Sequence, residues 1–404
     1  MKDRWTRSAL VLGGLALVAT VLAGAAAARV DAGFGRTASK SVNVAFIYPK
    51  TGGLAAFGAE EYDGFQAGLA YTKGQCGGYT INPTYIDDAT DAATAINAFK
   101  SEVGQGVKIV AGTGSSGIAL QLGPLAAQNN VLYIPGAAAA DAITGLNRNT
   151  FRAGRQTLQD VLDAANIFPP GSTGKKIVVF AEDTAFGAGN VAAVQAVFGS
   201  KGHTVSKILS PFGTADLTPY AQQLKNSGAD AAFVAWANTT NSAAMWQALQ
   251  QQGVPKQMTI VTGLANRASY DALGPLVQGV TLLSHYVYRA PKNPVNTYLV
   301  KWMAKNRHSV PDLFTPDGFV TAQMVCHALA KGGTDTSKQI SALEGWQFTG
   351  PKGKQRIRPQ DHAMLQPMFQ VQLVPASGGH FGVKVVKTVS PGDVQPPVTP
   401  FKNG

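Results

Sequence analysis

Residues 42–58 read VNVAFIYPKTGGLAAFG. Val42 to Tyr48 form an apolar run of strand length, rich in β-branched and aromatic residues and stopped by Pro49. The turn Thr51-Gly52-Gly53 follows, and the small apolar residues after it open a helix. The same succession recurs at residues 108–125 and 258–276. In open α/β sheets, ligands settle at the carboxyl ends of strands, where such turns lie. Turns of this kind from two similar halves predict one small molecule held between them.

Outward from that stretch, strands and helices alternate. Strands are expected at 80–86, 108–111 and 131–134, with helices at 59–71 and from Ile118 onward. Ala92, Ala95, Ile96, Phe99 and Val103 keep a 3.6-residue period, and Asp87-Asp88-Ala89-Thr90 reads as the cap of that helix. The pattern restarts with strands at 176–181, 203–209, 231–236 and 258–262. The offset of roughly 125–135 residues is too long for a solenoid and reads as two similar α/β lobes with parallel sheets. A long strand at 279–288 carries His285, Tyr286 and Tyr288; helices at 294–306, 317–330 and 337–343 and a hairpin at 368–389 follow. The Pro-rich tail, 391–404, is expected to be disordered.

The 404 residues exceed one ordinary domain, and 45% hydrophobic against 14% charged residues supports a sizeable core. Up to Ala32, four basic and two acidic residues supply +2 of the formal +11, leaving +9 spread over the rest. The basic residues are scattered, without the patch or motif that nucleic-acid binding requires. Lys2, Arg4 and Arg7 precede an apolar run, 9–28, that ends in Ala26-Ala27-Ala28. Residues 1–32 thus read as an export signal. The run also has the length to span a bilayer uncleaved, but its Ala-rich end favours cleavage. With a polar linker at 32–41 and no second run of that length, the mature chain is expected to be soluble and outside the cytoplasm. Cys76 and Cys326 lie far from the leader, so no lipid-anchoring cysteine is present there. In an exported chain this even pair is either a disulfide or two buried thiols. Neither has a His or a second Cys at metal-ligand spacing, so no metal and no other cofactor is expected.

The segments PKTGGLAAFG (49–58), IDDATDAATAINAF (86–99), GTGSSGIALQLGPLAAQNNVLYIPGAAA (112–139) and GPKG (350–353) together resemble the leucine/isoleucine/valine-binding family of periplasmic proteins. These are the solute receptors of ABC importers, and the resemblance covers nearly all of 42–389. It implies two doubly wound lobes joined by a three-segment hinge and closing over a ligand. Lobe 1 would be 42–152 plus 286–357, which includes both cysteines, and lobe 2 would be 158–284 plus 366–390. The hinge would cross near 152–157, 285–289 and 358–365. A membrane permease would be the partner.

The resemblance also implies a site. Phe57 stands where the family stacks an aromatic ring on the ligand, and Phe186 where Tyr is common. Gly114, Ser115 and Ser116 match the loop that receives a ligand carboxylate, which suits a helix N-terminus with unpaired donors. Ala137, Ala138 and Ala139 match the next loop, where amino-acid binders supply a Thr hydroxyl. Trp236 and Asn238 match the second-lobe loop. Gly263 or Leu264 stands where amino-acid binders place a Glu against the α-ammonium. A buried ammonium needs a charge partner or strong acceptors. A carboxylate or amide with an apolar body is therefore at least as good a ligand as leucine, with Arg155 and Arg267 near the cleft to pair with it.

Other readings of the same residues are weaker. Gly112 to Gly117 matches G-x-G-x-x-G, but the next strand ends in Ile134-Pro135-Gly136 without the acidic residue that NAD requires. Ser115 and Ser116 do not fit G-x-S-x-G, and no base is suitably placed, so an α/β hydrolase or other enzyme is disfavoured. Asp183 reads as a loop cap, and the six histidines are scattered. A sensor presenting ligand occupancy to a membrane signalling protein needs only the same closing cleft and stays open beside the importer receptor.

Overall fold

The computed structural model describes residues 40–402; the expected export signal and most of the linker lie outside them. Strand β1 (Lys40–Tyr48) changes from exposed to fully buried at Val44, as a central parallel strand covered on both faces does. It is followed by α1 (Ala55–Thr72), β2 (Tyr79–Asp87), α2 (Ala92–Gly104), β3 (Ile109–Gly112), α3 (Ser116–Gln128) and β4 (Leu132–Pro135). These strands form an all-parallel sheet in the order β2-β1-β3-β4.

After a short α4 (Thr157–Asp163) the plan repeats with β5 (Lys176–Glu182), α5 (Ala185–Phe198), β6 (Thr204–Ser210), α6 (Thr218–Asn226), β7 (Ala231–Ala235), α7 (Ser242–Gln251) and β8 (Thr259–Thr262). The order, β6-β5-β7-β8, is again all parallel and repeats the first sheet. The two lobes are thus alike in topology, as the sequence pattern predicts.

A one-turn α8 (Tyr270–Leu273) leads to β9 (Leu282–Ser284). The long strand expected at 279–288 is cut here. Ser284 Oγ binds both the N–H and the carbonyl of Tyr286, turning the chain toward the first lobe. There α9 (Pro294–Arg307), α10 (Thr315–Gly332), α11 (Thr336–Leu343) and an antiparallel set, β10 (Gln347–Gly350), β11 (Gly353–Ile357) and β12 (Met364–Leu365), complete the lobe. Helices α1 and α10 touch backbone to backbone, since a side chain at Gly64 or Gly318 would overlap the other helix's main chain. Cys76, just past α1, and Cys326 on α10 form a disulfide across this contact. The chain returns to lobe 2 as β13 (Met368–Pro375), between β9 and β14 (Phe381–Val389). Within the described residues no helix is long and apolar enough to cross a membrane.

The tail departs from expectation. Residues 391–402 are packed onto the hinge, not disordered. Val394 is fully buried. Arg358, on the third crossing, donates to the carbonyls of Pro396 and Pro397 at 2.7 and 3.0 Å and pairs with Asp361. Thr399 donates its N–H to Asp361, and Lys402 to the carbonyl of Gly145. Proline removes donors but leaves carbonyls free, and a buried guanidinium has taken them.

Candidate functional site

Both sheets reverse strand order at an inner pair, β1/β3 and β5/β7, and crevices open at such switch points. The loops that leave these four strands all reach one cavity of about 370 Å³, within the ~300–1,000 Å³ span of small-molecule sites. Leu54, Gly114–Gly117, Thr184–Phe186 and Trp236–Thr239 line it, joined by the loops after β4 and β8.

Two helices begin on this cavity. Ser115 caps α3, its Oγ accepting the N–H of Ile118, and Thr184 caps α5, its Oγ1 accepting that of Gly187. The first N–H groups of each helix have no intrahelical acceptor and carry the positive end of the helix dipole. Thr113, which turns β3 into α3, has φ +84°, a costly conformation for a residue with a side chain. Tyr133 steadies it by donating its hydroxyl to Thr113 Oγ1 at 3.0 Å.

Of the residues expected at the site, Phe57, Gly114, Ser115, Ser116, Ala137, Ala139, Phe186, Trp236, Asn238 and Leu264 line the cavity. Ala138 does not. It packs among Ala119, Ala140 and Ile143, and its carbonyl accepts from buried Arg152 at 3.0 Å. Ser115 Oγ serves as the acceptor of the helix cap. Ser116 Oγ accepts the N–H groups of Ala139 and Ala140 at 3.2 and 3.1 Å, so it braces the neighbouring loop. Asn238 Oδ1 holds Thr240, while Trp236 Nε1 donates to Asn241 at 2.9 Å, which fixes the indole. Arg267 stays off the cavity, its backbone N–H bound to Asp312. Nor do Asp87 and Asp88 cap α2: Asp91 does, while Asp87 ties down Thr51 and Asp88 holds Thr90.

The charged side chains among the lining residues are Arg155 and Asp160. They pair at 3.3 Å; Arg155 Nη1 also reaches the carbonyl of Ala137 at 3.4 Å, and its guanidinium lies 5.5 Å from the Phe314 ring centre. Burial pushes the Asp160 carboxyl up, and the Arg155 charge opposes this. His285 packs against Phe314, the rings tilted by 41° with their centres 4.8 Å apart. Burial, then the charges of Arg155 and Lys352, hold its imidazole well below the ordinary value, so it is neutral. Asp160, His285, Phe314, Phe212 and Trp246 are lining residues that sequence reasoning did not single out. Phe314 immediately precedes α10 and reaches the cavity from there.

The lobes touch at the cleft mouth. Thr239 donates its N–H and hydroxyl to the carbonyl of Gly53 at 3.0 and 3.1 Å. Phe212 covers Gly53 so closely that a side chain there would strike its ring.

A sequence profile of periplasmic binding proteins matches residues 41–379. "Leu/Ile/Val-binding protein homolog 6" of Brucella suis is 25% identical over 86% of this chain and 91% of its own. A crystal structure of an ABC-type branched-chain amino acid transporter from Rhodopseudomonas palustris is 31% identical, with a TM-score of 0.71 over 90% of this chain and all of that one. A second R. palustris solute-binding protein, in complex with 4-hydroxybenzoate, shares the fold at 21% identity, with a TM-score of 0.78 over 87% of this chain and 97% of that one. The chain belongs to the periplasmic binding protein family, as a type I, Leu/Ile/Val-binding-like solute-binding protein of the branched-chain amino acid type of ABC transporter.

Proposed function

We propose that this chain is an extracytoplasmic receptor that closes over a small monocarboxylate with an apolar, aromatic-sized body and delivers it to the permease of an ABC importer. The observation that carries the reading is the balance of charge in an aromatic cavity. Phe57, Phe186, Phe212, Trp236, Trp246 and Phe314 supply the walls. Two helix N-termini supply positive potential, and Arg155 offers guanidinium donors. The acidic side chain on the cavity, Asp160, is already neutralised by Arg155. An α-ammonium placed here would lack a free counter-ion, and burying it so is costly. A carboxylate would find the helix donors and the guanidinium N–H groups that Asp160 and Ala137 leave over. The 4-hydroxybenzoate complex of the second R. palustris protein shows that this fold accommodates such a ligand. The fold and relatives are those of solute-binding proteins, and catalysis is not part of the proposal.

The test is a thermal-shift and calorimetric screen of the chain from about Gly33, stripped of bound ligand. Benzoate, 4-hydroxybenzoate, straight-chain carboxylates, benzamide, leucine and valine form the panel. A ligand at 100 times its Kd stabilises by about 2.7 kcal/mol. Carboxylates should lead, with benzamide far weaker. Leucine or valine in first place would overturn the reading.

A further inference from the structure

Glu61 lies on α1, fully buried, and does not line the cavity. Its Oε1 accepts the N–H of Ala137, in the loop after β4, at 2.8 Å. Its Oε2 has no hydrogen-bond partner and faces the loop after β3, where a methyl group at Gly114 would stand 3.5 Å away. One carboxyl therefore sits beneath both loops that form the lobe 1 wall of the cleft. The packing is built around it: a side chain at Gly136 would overlap Oε1, and one at Gly318 would overlap the Glu61 carbonyl.

Its surroundings are acidic. Asp317 on α10 and Asp88 after β2 face it, Tyr133 on β4 couples to it, and Glu60 precedes it on α1. Among the described residues Asp88 and Asp317, like Glu61, each keep one oxygen without a hydrogen-bond partner. Lys352 is bound to Asp317, and Arg152 donates to the carbonyls of Ala138 and Ala140. Among the described residues no cation is bonded to Glu61 itself.

We propose that Glu61 is a positioning residue of the cleft, a buried carboxyl that anchors the loop after β4 and underlies the loop after β3, and that an anion bound on those loops favours its protonated form. The first part rests on the geometry alone. The second rests on the carboxylate reading above. Burial, and after it the Asp317 and Asp88 charges, push the Glu61 carboxyl to about 8, against the single backbone donor; Asp88 is pushed to about 7. Near neutral pH a bound anion and an ionised Glu61 would repel one another across a thin loop. Binding should therefore be accompanied by proton uptake.

The decisive comparison is Glu61→Gln, which keeps the shape and the acceptor for Ala137 but cannot ionise. Without ligand, thermal unfolding is followed from pH 5 to pH 9. A carboxyl raised in the folded state stabilises fully below its unfolded value, and that contribution is lost as pH rises toward the folded value. The wild type should thus lose stability relative to Glu61→Gln between about pH 5 and 8. Asp88→Asn, which leaves Glu61 in place, should move the midpoint of that loss to lower pH. Parallel curves in all three proteins would overturn the proposal whatever the ligand is. With benzoate as the probe, wild-type affinity should fall above the midpoint by up to about tenfold per pH unit, and Glu61→Gln should stay flat. Calorimetry in two buffers of different ionisation heat should show proton uptake in the wild type alone. A pH-dependent difference in stability without benzoate binding would sink the carboxylate reading and leave the role of Glu61 standing. Benzoate binding with the same pH profile in both proteins would refute the coupling.

Discussion

Lys352, in the turn between β10 and β11, holds the hinge from inside. Its Nζ lies 2.6 Å from Asp317 Oδ1 on α10 and 3.0 Å from Gln366 Oε1 just past the third crossing, and neither member of the ion pair is exposed. His285, on the second crossing, stands 3.8 Å from the other Asp317 oxygen. Lys352→Met preserves length and packing but strips Asp317 of its counter-charge. Breaking a buried pair from one side costs about 3–5 kcal/mol, because the remaining charge stays desolvated. At roughly 2.1 cal/mol/K per residue, the 404-residue chain unfolds with about 0.8 kcal/mol/K. Melting should then fall by roughly 4–6 °C. Asp317→Asn in the same chain removes the stranded charge and should recover most of the loss. Calorimetric unfolding of the wild type, both single variants and the double variant forms the cycle. A single variant within about 1 kcal/mol of wild type, or a double variant no better than Lys352→Met, would refute the view that this pair is a desolvated charge network.

Three further outcomes are expected. Phe57→Ala and Trp236→Ala should each weaken binding of the best ligand by about 1–3 kcal/mol, the scale of a lost buried aromatic contact; unchanged calorimetric affinity in both would remove them from the site. A stop codon after Ser390 deletes the burial of Val394 and removes two backbone acceptors of Arg358. It should cost about 2–4 kcal/mol in urea unfolding, whereas an unchanged midpoint would make the tail a spectator. Replacing Cys76 and Cys326 with Ser opens a loop spanning 250 residues, for which chain entropy sets a ceiling of about 5 kcal/mol; a loss below about 1 kcal/mol would show that the bond constrains little.

What was legible in the sequence followed from burial on both faces of a sheet. Val44–Tyr48 and Ile177–Ala181 are uninterrupted apolar runs because helices cover both sides of those strands. Their ends, and so the loops that build the cavity, can be read from the same runs. Residues that reach the cavity by tertiary return were harder to see. His285 sits past a strand that stops early because a Ser284 side chain captures the backbone, an event without a periodic signature. Phe212 follows edge strand β6 and gains its role through contact with Gly53 of the other lobe. Composition misled at the tail, where prolines that suggest disorder supply the carbonyls that Arg358 needs. The bracing of the Ala139–Ala140 loop by Ser116 Oγ likewise has no signature in the sequence.

Closure and ligand charge are linked by the same geometry. Helix α3 belongs to lobe 1 and α5 to lobe 2, and both begin on the cavity next to Arg155. Under the proposed closure, bringing the lobes together as far as the Gly53–Thr239 contact would place two positive helix ends, beside the Arg155–Asp160 pair, in one small, largely apolar space. Each helix end interacts with a charge by about 0.3–1 kcal/mol, and by up to ~2 kcal/mol when partly buried. In an empty cleft these contributions oppose closure. With a carboxylate between them they change sign and favour it. A ligand shifts an equilibrium only by its differential affinity for the two states, and under the proposed closure an anion would have one, because α3 and α5 belong to different lobes. A neutral isostere such as benzamide keeps the aromatic contacts and loses this term. It should therefore bind more weakly than benzoate and also close the lobes less completely, a difference that small-angle scattering of the two mixtures can read.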